Sequence, residues 1–208
     1  MEKQTKERGI IFNGEMVRAI LDGRKTQHRI QVNLPVIGIN MGCEIAGNEL
    51  AGEINSGCYW NSKLGKPGDR LWVRETCYAT KSTPHGIRAV AYPADNEIKI
   101  IEYADQHIEK WETLFNYCNA VAEQVPSTLM PRWVSRITLE ITDIRVERLH
   151  AITLGDICKE IGCGLYDFIP ATHGFLVWEE TWKSIHGQDS WQSNPWVWVV
   201  EFNRVEAA

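Results

Sequence analysis

The densest basic run in the chain is Arg24-Lys25-Thr26-Gln27-His28-Arg29, directly after Asp22-Gly23. A lysine placed there serves as a base or an oxyanion partner if burial or neighbouring cations lower its pKa. Arg24 and Arg29 act on Lys25 in that direction; the negative end of a preceding helix acts against it. The sequence leaves the balance open, and a solvated basic loop is the other reading. Glu160 lies in the last turn of a predicted helix, where the dipole disfavours a carboxylate and raises its pKa, which suits general acid–base work. An ordinary surface glutamate fits the same position. In Met130-Pro131-Arg132-Trp133-Val134-Ser135-Arg136, a tryptophan sits between two arginines, a combination that stacks on a base and holds a phosphate. A core Trp133 flanked by surface Arg132 and Arg136 is the alternative. Glu75 ends a strand, and a salt bridge to Arg74 or Arg70 is its plain reading.

These residues need elements to position them. Ile10-Ile11-Phe12 reads as a short strand, and Asn13 as the N-cap of a helix with Met16, Val17, Ile20 and Leu21 at helical spacing. Asp22-Gly23 stops that helix. Residues 32–66 lack a sustained period and read as an elaborated loop with one hairpin. The Pro67-Gly68-Asp69 turn launches an alternating strand over residues 70–75, and residues 87–92 form another. Residues 93–128 read as an insertion with Ile108, Trp111, Phe115 and Cys118 on one helical face. Over residues 136–149 the apolar alternation slips once at Thr142-Asp143, the mark of a bulge or turn. Thr153 to Asp156 is a capping-box pattern opening a helix that carries Ile157, Glu160 and Ile161 and closes at Gly162. Phe175, Trp178, Trp182 and Ile185 mark one more helix, whose tryptophans read as structural. Residues 196–202 are apolar on both faces and read as a central strand. Five to six strands with three or four short helices make an α+β domain, for which a barrel is one architecture.

The chain has 208 residues, room for a single domain over 1–208, and no internal repeat. A net charge of −5 argues against a coat for long duplexes but permits a small pocket or a local basic patch. No run is long and apolar enough to cross a bilayer, and the charged start lacks the apolar run of a signal peptide, so a cytoplasmic location without membrane contact is expected. The six cysteines include no C-x2-C pair and are expected to be reduced and mostly buried. The histidines form no ligand cluster, and neither metal nor another cofactor is expected. Protein partners are not indicated.

Taken together, residues 19–29 resemble the signature of the ASCH family, in which a short helix ends in Gly-x-Lys. Gly68-Asp69 before a strand, Glu147-Arg148-Leu149, the Ile152-Thr153 helix with Glu160, and Val200-Glu201-Phe202 follow in the family's order. Leu71-Trp72-Val73-Arg74-Glu75, the Met130–Arg136 motif and Asn194-Pro195-Trp196-Val197-Trp198-Val199 resemble the phage and prophage branch. The resemblance runs nearly end to end, with residues 32–66 and 93–128 as insertions relative to compact members. It implies a PUA-like β-barrel of five to six mixed strands and a pocket for a nucleoside or single-stranded RNA.

One bacterial branch of that family hydrolyses N4-acetylcytidine to cytidine and acetate without metal, using the motif lysine, a threonine three residues on, and a helix glutamate. Carried over, these are Lys25 and Glu160, with His28 where the threonine stands. The resemblance implies an amidohydrolase in which His28 activates water, or Thr26 serves in place of the threonine, and Glu160 protonates the leaving nitrogen. The alternative is a non-catalytic binder of RNA or a modified base using Arg132, Trp133 and Arg136. A ribonuclease with His28 and Lys25 as acid–base partners is the third reading.

Overall fold

The computed structural model describes residues 5–40, 42–82, 86–102, 106–121, 123–164, 167–168 and 172–205. The first strand, β1 (Glu7–Ile11), pairs parallel with β5 (Arg70–Arg74). The sheet continues through β9 (Thr138–Arg148) and β10 (Trp196–Val205) to β2 (Gln27–Gln31), in the order β1-β5-β9-β10-β2. Helix α1 (Gly14–Leu21) joins the two edge strands, capped by Asn13, whose side chain accepts from the Met16 N–H at 2.9 Å. A flat five-stranded sheet would hold its edges apart by roughly four strand spacings of about 4.8 Å. Here Phe12, just past β1, and His28 in β2 have ring centroids 4.8 Å apart. The sheet is therefore strongly curled, with its edges in side-chain contact but not hydrogen-bonded to each other among the described residues.

The alternation on β10 explains why it is apolar throughout. Trp198, Val200 and Phe202 enter a core inside the curl with Ile20, Leu71 and Ile141, while Val197 and Val199 enter a second core outside it with Ile157, Trp178 and Trp182. The phase slip expected on β9 is a bulge: Glu201 pairs with Asp143 but Phe202 with Ile141, which leaves Thr142 unpaired. Helix α4 (Leu154–Ile161) opens on the Thr153–Asp156 capping box and ends at Gly162 in the left-handed conformation, φ 83°. Helix α5 (Thr172–His186) buries Trp178 and Trp182, but Phe175 and Ile185, expected on the same face, are exposed.

The architecture is α+β, richer than expected: the described residues hold ten strands in three sheets and six α-helices. Residues 32–66 contain the hairpin β3 (Val36–Ile37) and β4 (Glu44–Ile45), and also helix α2 (Gly47–Asn55), which the mixed composition concealed. Strands β6 (Tyr78–Ser82), β7 (Ile87–Tyr92) and β8 (Glu97–Ile100) form a separate sheet. It shares a third core with α3 (Ile108–Ala120), which buries Trp111, Leu114 and Cys118. A short helix, α6 (Gln188–Gln192), follows α5. Three cysteines, Cys77, Cys118 and Cys158, are buried; Cys58 and Cys163 are half-buried and Cys43 is exposed, so the expectation of mostly buried thiols holds for half of them. No described helix is long and apolar enough to cross a membrane.

Candidate functional site at the edge of the curled sheet

The basic run first of all caps a helix. The final turn of α4 leaves carbonyls without intrahelical partners. The Thr26 N–H donates to Lys159 O at 3.1 Å, the Lys25 ammonium to Glu160 O at 2.6 Å and the Arg24 guanidinium to Gly162 O at 2.8 Å. Three consecutive residues thus fasten the C-terminus of α4 to the entrance of β2, and cations there also suit the helix dipole.

The chain then becomes an edge strand, which nothing in its apolar pattern announces. The Phe202 N–H reaches Thr26 O, and the Val32 N–H reaches Trp196 O, so the even-numbered residues of β2 face β10. The outward groups of Gln27 and Arg29 meet side chains instead. Lys25 Nζ donates to Gln27 O at 2.7 Å, and the Arg29 N–H donates to Glu160 Oε1 at 3.1 Å.

Glu160 is the hub. Its Oε1 also takes Lys25 Nζ at 3.2 Å and lies 2.9 Å from His28 Nδ1, and Arg29 Nη1 stands 3.7 Å from Oε2. Burial alone would raise this carboxyl, but Lys25, His28 and Arg29 more than offset it and hold it down at about 2. The sequence-based direction is therefore reversed: the helix dipole is local and weak beside Lys25, just ahead of β2, and Arg29 within it. Glu160 is an ionised carboxylate, an acceptor and not an acid.

That fixes the state of its neighbours. An ionised carboxylate only accepts, so His28 carries its proton on Nδ1 and donates it to Glu160. Burial, with Lys25 and Arg29 beside it, pushes His28 below its ordinary value despite Glu160, leaving a neutral imidazole at pH 7 whose Nε2 is a free base. Burial likewise pushes Lys25 down, against the pull of Glu160. All three ammonium protons of Lys25 are nevertheless taken, by Gln27 O, Glu160 O and Glu160 Oε1.

Acid should unfold this arrangement in order. The folded pKa of His28 lies below its ordinary 6.5 and that of Glu160 below its ordinary 4.5, so in both cases the unfolded chain takes up protons first. Stability is complete above about pH 6.5 and is expected to fall as pH drops, first through His28 and then between 4.5 and about 2 through Glu160. Asp156 and Glu201, also held low on balance against burial, act in the same direction. The Glu160 step is on the order of 3 kcal/mol, at about 1.4 kcal/mol per pH unit. Urea unfolding across pH 3–7 checks it: a flat profile that Glu160→Gln leaves unaltered would refute the assignment.

A cavity of about 670 Å³ opens beside this cluster, walled by β2, α1, α4 and α5. His28, Arg29 and Glu160 line it, as do Trp178, Trp182 and His186 of α5. The Trp178 and Trp182 rings are 5.8 Å apart, the His186 ring packs tilted against Trp182 at 4.1 Å, and the Arg29 guanidinium lies over Trp178 at 5.9 Å. Three buried polar atoms on these wall residues, Glu160 Oε2, Arg29 Nε and Trp178 Nε1, have no hydrogen-bond partner among the described residues. The lining carboxylates, Glu15, Asp22 and Glu160, are matched in number by Arg18, Arg24 and Arg29. The α5 contribution was missed in the sequence, although Trp178, Trp182 and His186 recur every fourth residue on one helical stripe.

The remaining candidates lie elsewhere or behind the wall. Lys25 is 2% exposed and Thr26 half-buried; neither lines the cavity. Arg24 sits at its rim, paired with Asp22 at 2.8 Å. Glu75 forms a two-pronged pair with Arg136, at 2.9 and 3.0 Å, in place of the expected Arg74 or Arg70. Arg136 also binds Asp95 at 2.7 Å and covers the Tyr92 ring at 4.1 Å. Arg132 pairs with Glu7 at 3.0 Å over Trp72, and Trp133 stacks on His107 at 5.3 Å. None of these four, Glu75, Arg132, Trp133 or Arg136, lines the cavity with His28. Among the described residues no group of three or more His, Cys, Asp or Glu is placed to hold a metal ion.

Comparison of the chain with family models, with curated proteins and with solved structures finds no match. The functional reading therefore rests on the site and on the motif resemblance of the sequence.

Proposed function

We propose that the protein is an ASCH-type amidohydrolase that removes an acyl group from a modified cytidine or a similar nucleoside. The observation that carries this reading is the Glu160–His28 pair on the cavity wall: a buried carboxylate orients an imidazole by its Nδ1 proton and leaves Nε2 basic. The same relay logic activates water or a hydroxyl in hydrolases on unrelated folds. His28 Nε2 would take a proton from water as the water oxygen bonds to the acyl carbon. The tetrahedral adduct then collapses, the C–N bond breaks and the nitrogen leaves protonated, giving a carboxylic acid and an amine. Glu160 stabilises the imidazolium formed on the way. Lys25 acts as a positioning residue, holding Glu160 and β2 in place, and the curled sheet is read as a PUA-like barrel whose two edges meet at the site.

The cavity suits a nucleoside more than an RNA chain. Its volume admits a base and a sugar, its tryptophans offer apolar faces, and its charges balance, leaving no surplus cation for a phosphate. The arginines of the second, RNA-binding reading, Arg132 and Arg136, are committed to Glu7, Glu75 and Asp95. Purified protein given N4-acetylcytidine is expected to release cytidine and acetate in equal amounts. Absence of release from folded protein that still binds the nucleoside would replace the hydrolase with a binding module.

A further inference from the structure

We propose that His186 is the general acid of this site, delivering the proton that the leaving nitrogen needs as His28 directs water at the acyl carbon. The inference rests on the amidohydrolase reading and adds a second donor to it, beside the His28 imidazolium that forms as water is deprotonated. An amide nitrogen does not depart as an anion near neutral pH, so the breaking C–N bond needs a donor. Glu160 is ionised and has no proton to give. Lys25 is buried off the cavity with its three protons engaged.

His186 meets the requirements from its place in the fold. It lines the same cavity as His28, from the last turn of α5, and is exposed. Its ring is fixed against Trp182 at 4.1 Å, yet no described residue hydrogen-bonds either ring nitrogen, so both remain for a ligand. The helix C-terminus favours its protonated form. Partial burial, and then the charge of His28, draw its pKa below 6.5, so the protonated donor is the minority form at pH 7, and the two imidazoles disfavour carrying two protons at once. The charged groups that line the cavity with the pair are Arg29 and Glu160 beside His28, and Glu15, Arg18, Asp22 and Arg24; on its own helix His186 follows Lys183, which is paired with Glu179. Proton balance closes over the cycle: His28 gains one from water, His186 loses one to nitrogen, and exchange with solvent restores both.

The test compares His186→Gln with the unaltered protein on two substrates. For N4-acetylcytidine the expected loss in kcat is about 10²–10³-fold, the range of a positioned proton donor. For p-nitrophenyl acetate, whose leaving group departs as a stable anion, the loss is expected to shrink to within about tenfold. The fall in kcat/KM on the alkaline side of the profile, assigned to His186, should also vanish in the variant. Equal losses on both substrates, or full amide turnover with an unchanged pH profile, would overturn the role of His186 while leaving the hydrolase intact. An unaltered protein that turns over neither substrate would instead remove the amidohydrolase reading, and this inference with it.

Discussion

Lys25→Met is expected to destabilise the protein by about 3–5 kcal/mol, the cost of stripping one partner from a buried ion pair. The side chain is 1% exposed, and its loss leaves the Glu160 carboxylate short of a cation and two carbonyls, Gln27 O and Glu160 O, short of a donor. Glu160→Gln should cost a similar amount, because the ammonium is then buried without its counter-charge. The double variant is the informative one. Since the two substitutions share the Lys25–Glu160 interaction, their effects should fall short of additive by about 0.5–3 kcal/mol. Urea unfolding of the four proteins measures this coupling, and strictly additive losses would mean that Lys25 and Glu160 do not act as a pair.

His28→Gln separates chemistry from architecture. The glutamine amide can still donate to Glu160, so the fold at the edge of β2 is retained, but the base is gone. Turnover of N4-acetylcytidine is expected to fall by about 10²–10⁴-fold with little change in KM. The loss should appear equally with p-nitrophenyl acetate, because every acyl substrate needs the activated water; this distinguishes His28 from His186. Retention of kcat within about tenfold would exclude His28 as the base and return attention to Thr26, which a small movement of the β2 entrance would have to expose.

The parts of this molecule that could be read from sequence are those decided within a few residues. Asn13 caps α1, Thr153 and Asp156 close a capping box, and the apolar phase slip marks the bulge at Thr142. The two-faced apolar pattern of β10 follows from its position between two cores. What escaped depends on distant partners. β2 is a strand because β10, from the other end of the chain, pairs with it; its own residues include no apolar alternation. The same holds for charge. The resemblance groups Lys25 and His28 with Glu160 in one site, but nothing near Glu160 in sequence shows that they and Arg29 reverse the direction of its pKa. Arg136 turns to Glu75 and Asp95, not outward to a phosphate, and Trp182 and His186 reach the site through helix packing.

The way Lys25 and Glu160 occupy the outward groups of β2 bears on solubility as well as chemistry. A bare sheet edge is a template on which a second copy of the chain can add a strand. Here the acceptor of Gln27 and the donor of Arg29 are already engaged by charged side chains of the same molecule, and a charge buried against the edge repels an incoming strand. The residues assigned to the site thus double as gatekeepers against self-association. Evolution of its chemistry is constrained accordingly: exchanging Glu160 or Lys25 for a new specificity uncovers an aggregation-prone edge.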